Sequence, residues 1–370
     1  MKQGKKLLLG VLFGLLILLV GTAGVVLLAD DAVQTGKKYE KAGDESVPET
    51  ETHILLETKT DIPESNQADT QGNTQDNEEE SEQVNKQDDK KDCVLLFAGD
   101  VYLSSHVLNA YTKAGGIAGV LDEGIRKEIE AADIFMVNQE FPFTERGTAA
   151  ADKQYTFRLP PEKIHIFEEM GIDIVTLANN HILDFGPEGI TDSVAALDSA
   201  GILHVGAGED LEQAKKPEII ETCGRKIGFL GVSRVYMAAS WAAGEGHPGV
   251  FSTYDPTMAL EAIREAKEQV DFLVVYVHWG VERETSPKEY QKVMGHQYID
   301  AGADLVIGSH PHVLQPVENY NDKPIVYSLG NFVFGSSIPN TELFKVTLTE
   351  NGVETEEIPC TSSAGYTRLK

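Results

Sequence analysis

Asp100, Glu140, Asn180, His278, His310 and His312 each stand just beyond a short apolar run. The runs are 94–98, 134–137, 172–177, 272–277 and 304–307. Asn138 and Gln139 lie immediately before Glu140, and Asn179 and His181 flank Asn180. Carboxylates, carboxamides and imidazoles together form an oxygen and nitrogen ligand set, which suits Zn, Mn, Fe or Co better than Ca. The set is too large for one four-coordinate ion. Two ions about 3.5–4 Å apart, bridged by a carboxylate, would use it. Such a pair lowers the pKa of a bound water and clamps an attacked centre, which is hydrolytic chemistry. Each residue also has a plain structural reading. A strand-end Asp caps helices and turns, Asn179-Asn180 suits a turn, and His278 beside Trp279 suits a packed core. The repetition at five strand ends is what argues for one shared site. The i, i+2 pair His310 and His312 would face one way on a regular strand. In a loop just past a strand the two rings could reach neighbouring ions instead.

Something must bring those run ends together. Short, continuous apolar runs bounded by polar residues read as buried strands. Helical periodicity covers about 120–132, 161–170, 188–200, 256–269 and 287–301, and 202–205 reads as a short strand. Residues 218–222 and 226–232 flank Cys223-Gly224-Arg225, a hairpin signal. Segments 323–329 and 344–348 close the chain as strands, with Asn351-Gly352 as a hairpin turn. Alternating strands and helices with added hairpins predict a layered α/β (α+β) domain over 93–370. In open α/β sheets the ligand site lies beyond the carboxyl ends of the strands, where the six residues fall.

The chain has 370 residues, 41% hydrophobic, with a formal net charge of -28. Residues 1–29 carry +3, residues 30–92 carry -12 and residues 93–370 carry -19. That balance argues against nucleic acid as a partner, because phosphate binding needs excess Lys and Arg, and against docking on an anionic lipid surface. Lys2, Lys5 and Lys6 precede an uncharged run over 7–29. At about 1.5 Å per residue this run spans the ~30 Å hydrocarbon core. It is longer than the apolar stretch of a cleaved signal peptide. The expectation is a single-pass membrane anchor over 1–29, the N-terminus cytoplasmic and everything from Asp30 outside the cell. Residues 30–92 are acidic and polar, which predicts a disordered spacer. Of three cysteines, Cys93 and Cys360 lie near the two ends of the domain, where they could pair. The alternative is three free thiols acting as small hydrophobes.

Gly99-Asp100, Asn138-x-Glu140, Asn179-Asn180-His181-x-x-Asp184-x-Gly186, His278-Trp279-Gly280 and Gly308-Ser309-His310-Pro311-His312 together resemble the CapA family. These are capsule or poly-γ-glutamate biosynthesis proteins, related to calcineurin-like metallophosphoesterases. Tyr327-Ser328-Leu329-Gly330-Asn331-Phe332 is also typical of that branch. The resemblance covers about 94–337. It implies an αββα sandwich, and two divalent ions, with Mn, Zn or Fe the favoured metals. It implies that Asp100 and His312 bind one ion, that Glu140 bridges, and that Asn180, His278 and His310 hold the second. His181 resembles the acid that protonates a leaving oxygen, and Asp184 resembles its orienting partner. Asn331 and Arg234 lie near these motifs without a role the pattern defines. One residue departs from the pattern: Tyr102 stands where phosphoesterases of the superfamily usually have a metal-binding His, and the spacing of His106 does not replace it. The resemblance implies a phosphoester substrate or an anionic capsular polymer, and a membrane synthase complex as partner. The competing expectation is a non-catalytic, metal-dependent component that binds or exports the polymer.

Overall fold

The computed structural model describes residues 91–370. The expected anchor (1–29) and nearly all of the expected spacer (30–92) therefore lie outside the described residues. Among the described residues no helix is long and apolar enough to cross a membrane.

The layers follow from the period-two alternation of strands that are buried on both faces. In β1 (Cys93–Val101), Leu95 and Phe97 point to one side and Leu96 and Ala98 to the other, and all four are fully buried. The first side meets a second sheet and the other meets helices. Sheet one runs β16-β15-β14-β1-β2-β3-β4, with β13 also paired to β1. Its members are β1, β2 (Ile134–Gln139), β3 (Ile174–Thr176), β4 (Leu203–Val205), β13 (Asn331–Val333), β14 (Ser337–Leu348), β15 (Val353–Ser363) and β16 (Tyr366–Leu369). Sheet two runs β11-β12-β10-β9-β7-β6. It comprises β6 (Glu218–Thr222), β7 (Arg225–Ser233), β9 (Phe272–His278), β10 (Leu305–Ser309), β11 (Leu314–Tyr320) and β12 (Lys323–Leu329). A small pair, β5 (Ala207–Gly208) and β8 (Gly249–Val250), stands apart.

Between the sheets lie Leu95, Phe97, Met136 and Ile174 from the first and Phe229, Val274, Tyr276 and Ile307 from the second. The outer face of sheet one is covered by α1 (Ser105–Ala114), α2 (Glu123–Ala131), α3 (His165–Met170) and α4 (Glu188–Ala200), through Val107, Ile125, Phe167 and Leu197. After the short α5 (Leu211–Ala214), α6 (Thr257–Lys267) and α7 (Glu289–Ala301) cover sheet two through Ile263 and Tyr298. The result is the αββα sandwich. The helices start and stop on ordinary signals. Asp122 caps α2 by accepting from Ile125 N at 2.8 Å, and Gly201 ends α4 in the left-handed conformation.

Several elements differ from expectation. α1 buries only Val107, so its apolar period is too weak to read. β11 contains Pro316, which a strand tolerates because β11 is an edge. β14 and β15 form a longer ribbon than the apolar residues alone mark, since most of β15 is exposed. Of the two alternatives for the cysteines, the free-thiol one holds. All three cysteines are free. Cys360 belongs to the helix-facing layer and Cys93 to the layer between the sheets, so they occupy opposite sides of sheet one.

One core carboxyl makes the domain pH-sensitive. Glu342 on β14 is 7% exposed, and burial, helped by the charge of Glu357, pushes its pKa up to about 7. A raised carboxyl pKa favours the folded state while the group is protonated. That advantage is lost as pH rises from about 4.5 through 7. Glu342→Gln should therefore stabilise the fold by roughly 1–3 kcal/mol at pH 8 and change little near pH 4.5. Thermal melts at both values check this, and equal shifts at the two would contradict it.

Candidate metal centre

The strands of both sheets deliver the six expected ligands to one edge. Asp100 ends β1, Glu140 follows β2, His278 ends β9, and His310 and His312 follow β10. Asn180 and His181 lie in the turn after β3. Two glycines permit the crowding. A Cβ at Gly99 would sit 1.8 Å from the Gly330 carbonyl, and one at Gly308 would sit 2.1 Å from the Tyr327 carbonyl. Only a residue without a side chain lets β1 approach the β12–β13 corner and β10 approach β12 so closely.

The ligand atoms form two groups. Glu140, His278 and His310 offer atoms within 4.8 Å of one another, and so do Asp100, Glu140 and His312. Glu140 belongs to both. Asn180 joins the first group through Oδ1, 2.8 Å from His278 Nε2. His312 Nδ1 lies 3.1 Å from Asp100 Oδ2, 3.8 Å from Glu140 Oε2 and 2.8 Å from Asn331 Oδ1. His310 and His312 both adopt positive φ, 94° and 58°. Strain of this kind persists only where the surroundings impose it. Here it turns rings at i and i+2 into different groups, so the loop alternative holds and the regular-strand one does not.

A web of carboxamides fixes the edge. Asn138 Nδ2 donates to Asp100 Oδ1 at 2.8 Å, and Asn179 Nδ2 donates to Asn138 Oδ1 at 3.0 Å. Asn179 Oδ1 accepts from the backbone N–H groups of His181 and Ile182, both at 3.0 Å. His278 Nδ1 lies 3.0 Å from Ser309 Oγ, which leaves its Nε2 facing Asn180 and Glu140. Asn179 is thus the brace of the turn that carries Asn180 and His181, as its turn reading allows.

Asp100, Glu140, His278 and His310 are buried, while Asn180 and His312 keep some exposure. Burial, then the neighbouring charge of Asp100, raises the Glu140 pKa well above the usual carboxylate range. Burial and the adjacent imidazoles hold His278 and His310 far below the ordinary histidine value. Burial opposes protonation of His312 as well, but the charges of Glu140 and Asp100 prevail and push it up to about 10. Both oxygens of Glu140 and Nδ1 of His310 are buried without a hydrogen-bond partner. A buried carboxylate with no donor is costly. A cation against each oxygen would satisfy it, and two neutral imidazoles stand ready as ligands. The donor set therefore fits divalent metal.

Beside this centre His181 Nδ1 lies 2.7 Å from Asp184 Oδ2, and its ring stacks on Phe157 at 4.3 Å. Asp184 is itself held by the Phe157 N–H at 2.6 Å and by the Lys153 ammonium. Lys153 was not singled out by the sequence. It comes from the irregular segment after Gly147, reaches the Asn180 carbonyl, and lies 3.0 Å from His181 Nδ1. Burial lowers its pKa, against the pull of Asp184. No motif marks it, and only the fold of 144–158 over the site brings it in. Tyr102 joins no ligand group. Its ring stacks on Phe157 at 4.2 Å and meets Phe141 and Phe334, so it walls the site instead. His106 is exposed on α1 and does not replace the missing histidine. Arg234 lies between the rings of Tyr254 and Tyr290, at 4.4 and 4.1 Å, and its backbone N–H donates to the His278 carbonyl.

The profile of the bacterial capsule synthesis protein PGA_cap matches residues 94–336, which contain every residue of this centre. The chain belongs to the PGA_cap family. Its relatives include the PGA biosynthesis protein CapA of Bacillus subtilis (strain 168), 33% identical over 267 residues, or 71% of this chain and 69% of that protein. The capsule biosynthesis protein CapA of Bacillus anthracis is 31% identical over 70% of this chain and 64% of its own length. A probable polyglutamine synthesis accessory protein of Mycobacterium tuberculosis (strain ATCC 25618 / H37Rv) is 35% identical over 56% of this chain and 57% of its own. The match thus spans less than two thirds of the latter two relatives. Among solved structures, Haemophilus influenzae NAD nucleotidase aligns over 73% of this chain and 56% of that one at 11% identity and a TM-score of 0.43. The strand-end centre falls wholly inside the region that matches the PGA_cap family.

Proposed function

We propose that this PGA_cap protein is anchored in the cell membrane by residues 1–29, that 30–92 space its domain from the bilayer, and that the domain, outside the cell, is a metal-dependent hydrolase of phosphoester type. One observation carries the hydrolase reading: the unpartnered Glu140 carboxylate stands between two ligand groups and belongs to both. In this reading Asp100, Glu140 and His312 hold one ion, and Glu140, Asn180, His278 and His310 hold the other. Two such ions would supply Lewis acidity and lower the pKa of a bound water.

The chain's own residues do the rest. Asp184 holds Nδ1–H of His181, which leaves Nε2 to carry a proton to a leaving oxygen. The saturated carboxylate of Asp184 and the stacked ring of Phe157 keep that imidazole in one orientation. Lys153 supplies a positive charge beside the site for an anionic substrate. Tyr102, Phe157 and Phe334 form a wall that excludes water from one side.

Tyr102 also favours a second reading. Without an imidazole there, the Asp100 group has fewer protein ligands than the phosphoesterase pattern supplies. The domain would then use metal to bind an anionic capsular polymer, such as poly-γ-glutamate, for a membrane synthase complex, without chemistry. The two readings separate in one experiment. The Mn-, Zn- or Fe-loaded protein should turn over a chromogenic phosphodiester or phosphomonoester and lose that turnover with chelator. Metal-dependent, stoichiometric binding of poly-γ-glutamate with no turnover of either ester would overturn the hydrolase reading in favour of the binder.

A further inference from the structure

At the far end of β1 from the metal centre, Cys93, Asp133 and Cys223 bring ligand atoms within 4.8 Å of one another. Asp100 is seven residues along the same strand, about 23 Å away at strand rise. Cys93 opens β1 in sheet one, and Cys223 lies in the turn between β6 and β7 of sheet two. Cys93 is fully buried between the sheets, and Cys223 packs against that same layer while keeping some exposure. The turn itself is unusual. Cys223 and Gly224 both have positive φ, 52° and 67°. A two-residue hairpin of that shape normally takes Asn or Asp before its Gly. A cysteine there carries backbone strain that the ordinary residues largely avoid. Two positions further on, Arg225 holds the Lys91 carbonyl and, at 3.1 Å, the Thr349 carbonyl. The same corner therefore already grips the chain just where it enters the fold.

We propose that Cys93 and Cys223 are a disulfide-forming pair, closed by exchange with an external disulfide, that clasps the two sheets together at the base of the domain. Cys223, the accessible sulfur, attacks the oxidant's S–S bond and releases one thiol. Cys93 then displaces the second thiol. Two protein S–H bonds and the oxidant's S–S bond break, and one protein S–S bond and two oxidant S–H bonds form. Two electrons pass from the cysteines to the oxidant. Burial, reinforced by Cys223 beside it, holds the Cys93 thiol high, so Cys93 resolves the exchange and does not start it. The ring closed is long, which favours a large gain in stability.

The test treats the full-length protein with oxidised glutathione and maps its peptides without reduction. The expected result is a linked pair containing Cys93 and Cys223, lighter by two hydrogens, with Cys360 still open to alkylation. The thermal midpoint should rise by roughly 5–10 °C. The rise should vanish in dithiothreitol and in Cys223→Ser, and persist in Cys360→Ala. Alkylation of both Cys93 and Cys223 in the oxidised, folded protein would overturn the proposal. So would a link through Cys360, or one equivalent of zinc protecting the two thiols. None of these readouts depends on metal at the strand-end centre.

Discussion

Glu140→Gln protein, prepared with metal supplement, carries less than about a tenth of the parent's transition metal, and any hydrolysis falls by roughly 10³-fold or more. Glu140 is the carboxylate common to both ligand groups, so its loss removes a ligand from each ion. The same substitution has an opposite effect on the metal-free fold. Neither Glu140 oxygen has a hydrogen-bond partner, and the group is fully buried. Removing its charge should leave the metal-free melting temperature unchanged or higher. Added metal should then stabilise the parent and not the variant. Elemental analysis and paired melts check both halves. A variant that binds metal like the parent would remove the bridging role. A variant that simply unfolds would contradict the reading of Glu140 as destabilising when unpaired.

Metal uptake should also release protons. His312, pushed up to about 10 by the charges of Glu140 and Asp100, and Glu140, whose pKa burial raises, form a pair that holds a proton when no ion is present. The pair must give it up for both to become ligands. Affinity should therefore weaken as pH falls from 8 to 6, by as much as about tenfold per proton per pH unit. Titration calorimetry in buffers of different ionisation enthalpy reads the protons directly.

His181→Ala is the second large expected effect. Turnover should fall by roughly 10²–10⁴ while metal content stays near that of the parent. His181 is outside both ligand groups, and Asp184 positions it through Nδ1. Burial holds the imidazole below its ordinary pKa, and Asp184 partly offsets that. An acid that must be protonated is lost as pH rises through its pKa. The alkaline limb of turnover should thus lie on the low side of about 6.5, and Asp184→Asn should move it lower still. Unchanged turnover in His181→Ala, or loss of metal with it, would remove the acid role.

Much of this centre was legible because it sits where short strands end. Continuous buried runs such as 272–277 leave little doubt about direction, and the residue after each run is then aimed at one edge. His310 and His312 show the limit of that logic. Their i, i+2 spacing is ambiguous until the positive φ at both residues separates their rings. Lys153 and Phe157 were not legible, because irregular backbone carries no period and only tertiary packing folds 144–158 over His181. Tyr102 could be seen as a departure from the phosphoesterase pattern, but its stacking on Phe157 could not. β11 and most of β15 hide for a related reason, since exposed edge strands need little apolar residue to form. The cysteines show the same lesson in reverse. Position along the chain suggested Cys93 with Cys360, whereas strand alternation puts them on opposite faces and brings Cys223 in.

Metal stoichiometry on the purified, unmodified chain tests the central claim most directly. Elemental analysis after loading and desalting should find about two divalent transition-metal ions per chain, bound together and lost together in Glu140→Gln. Folded protein that retains one ion or none under those conditions would contradict the shared-carboxylate centre.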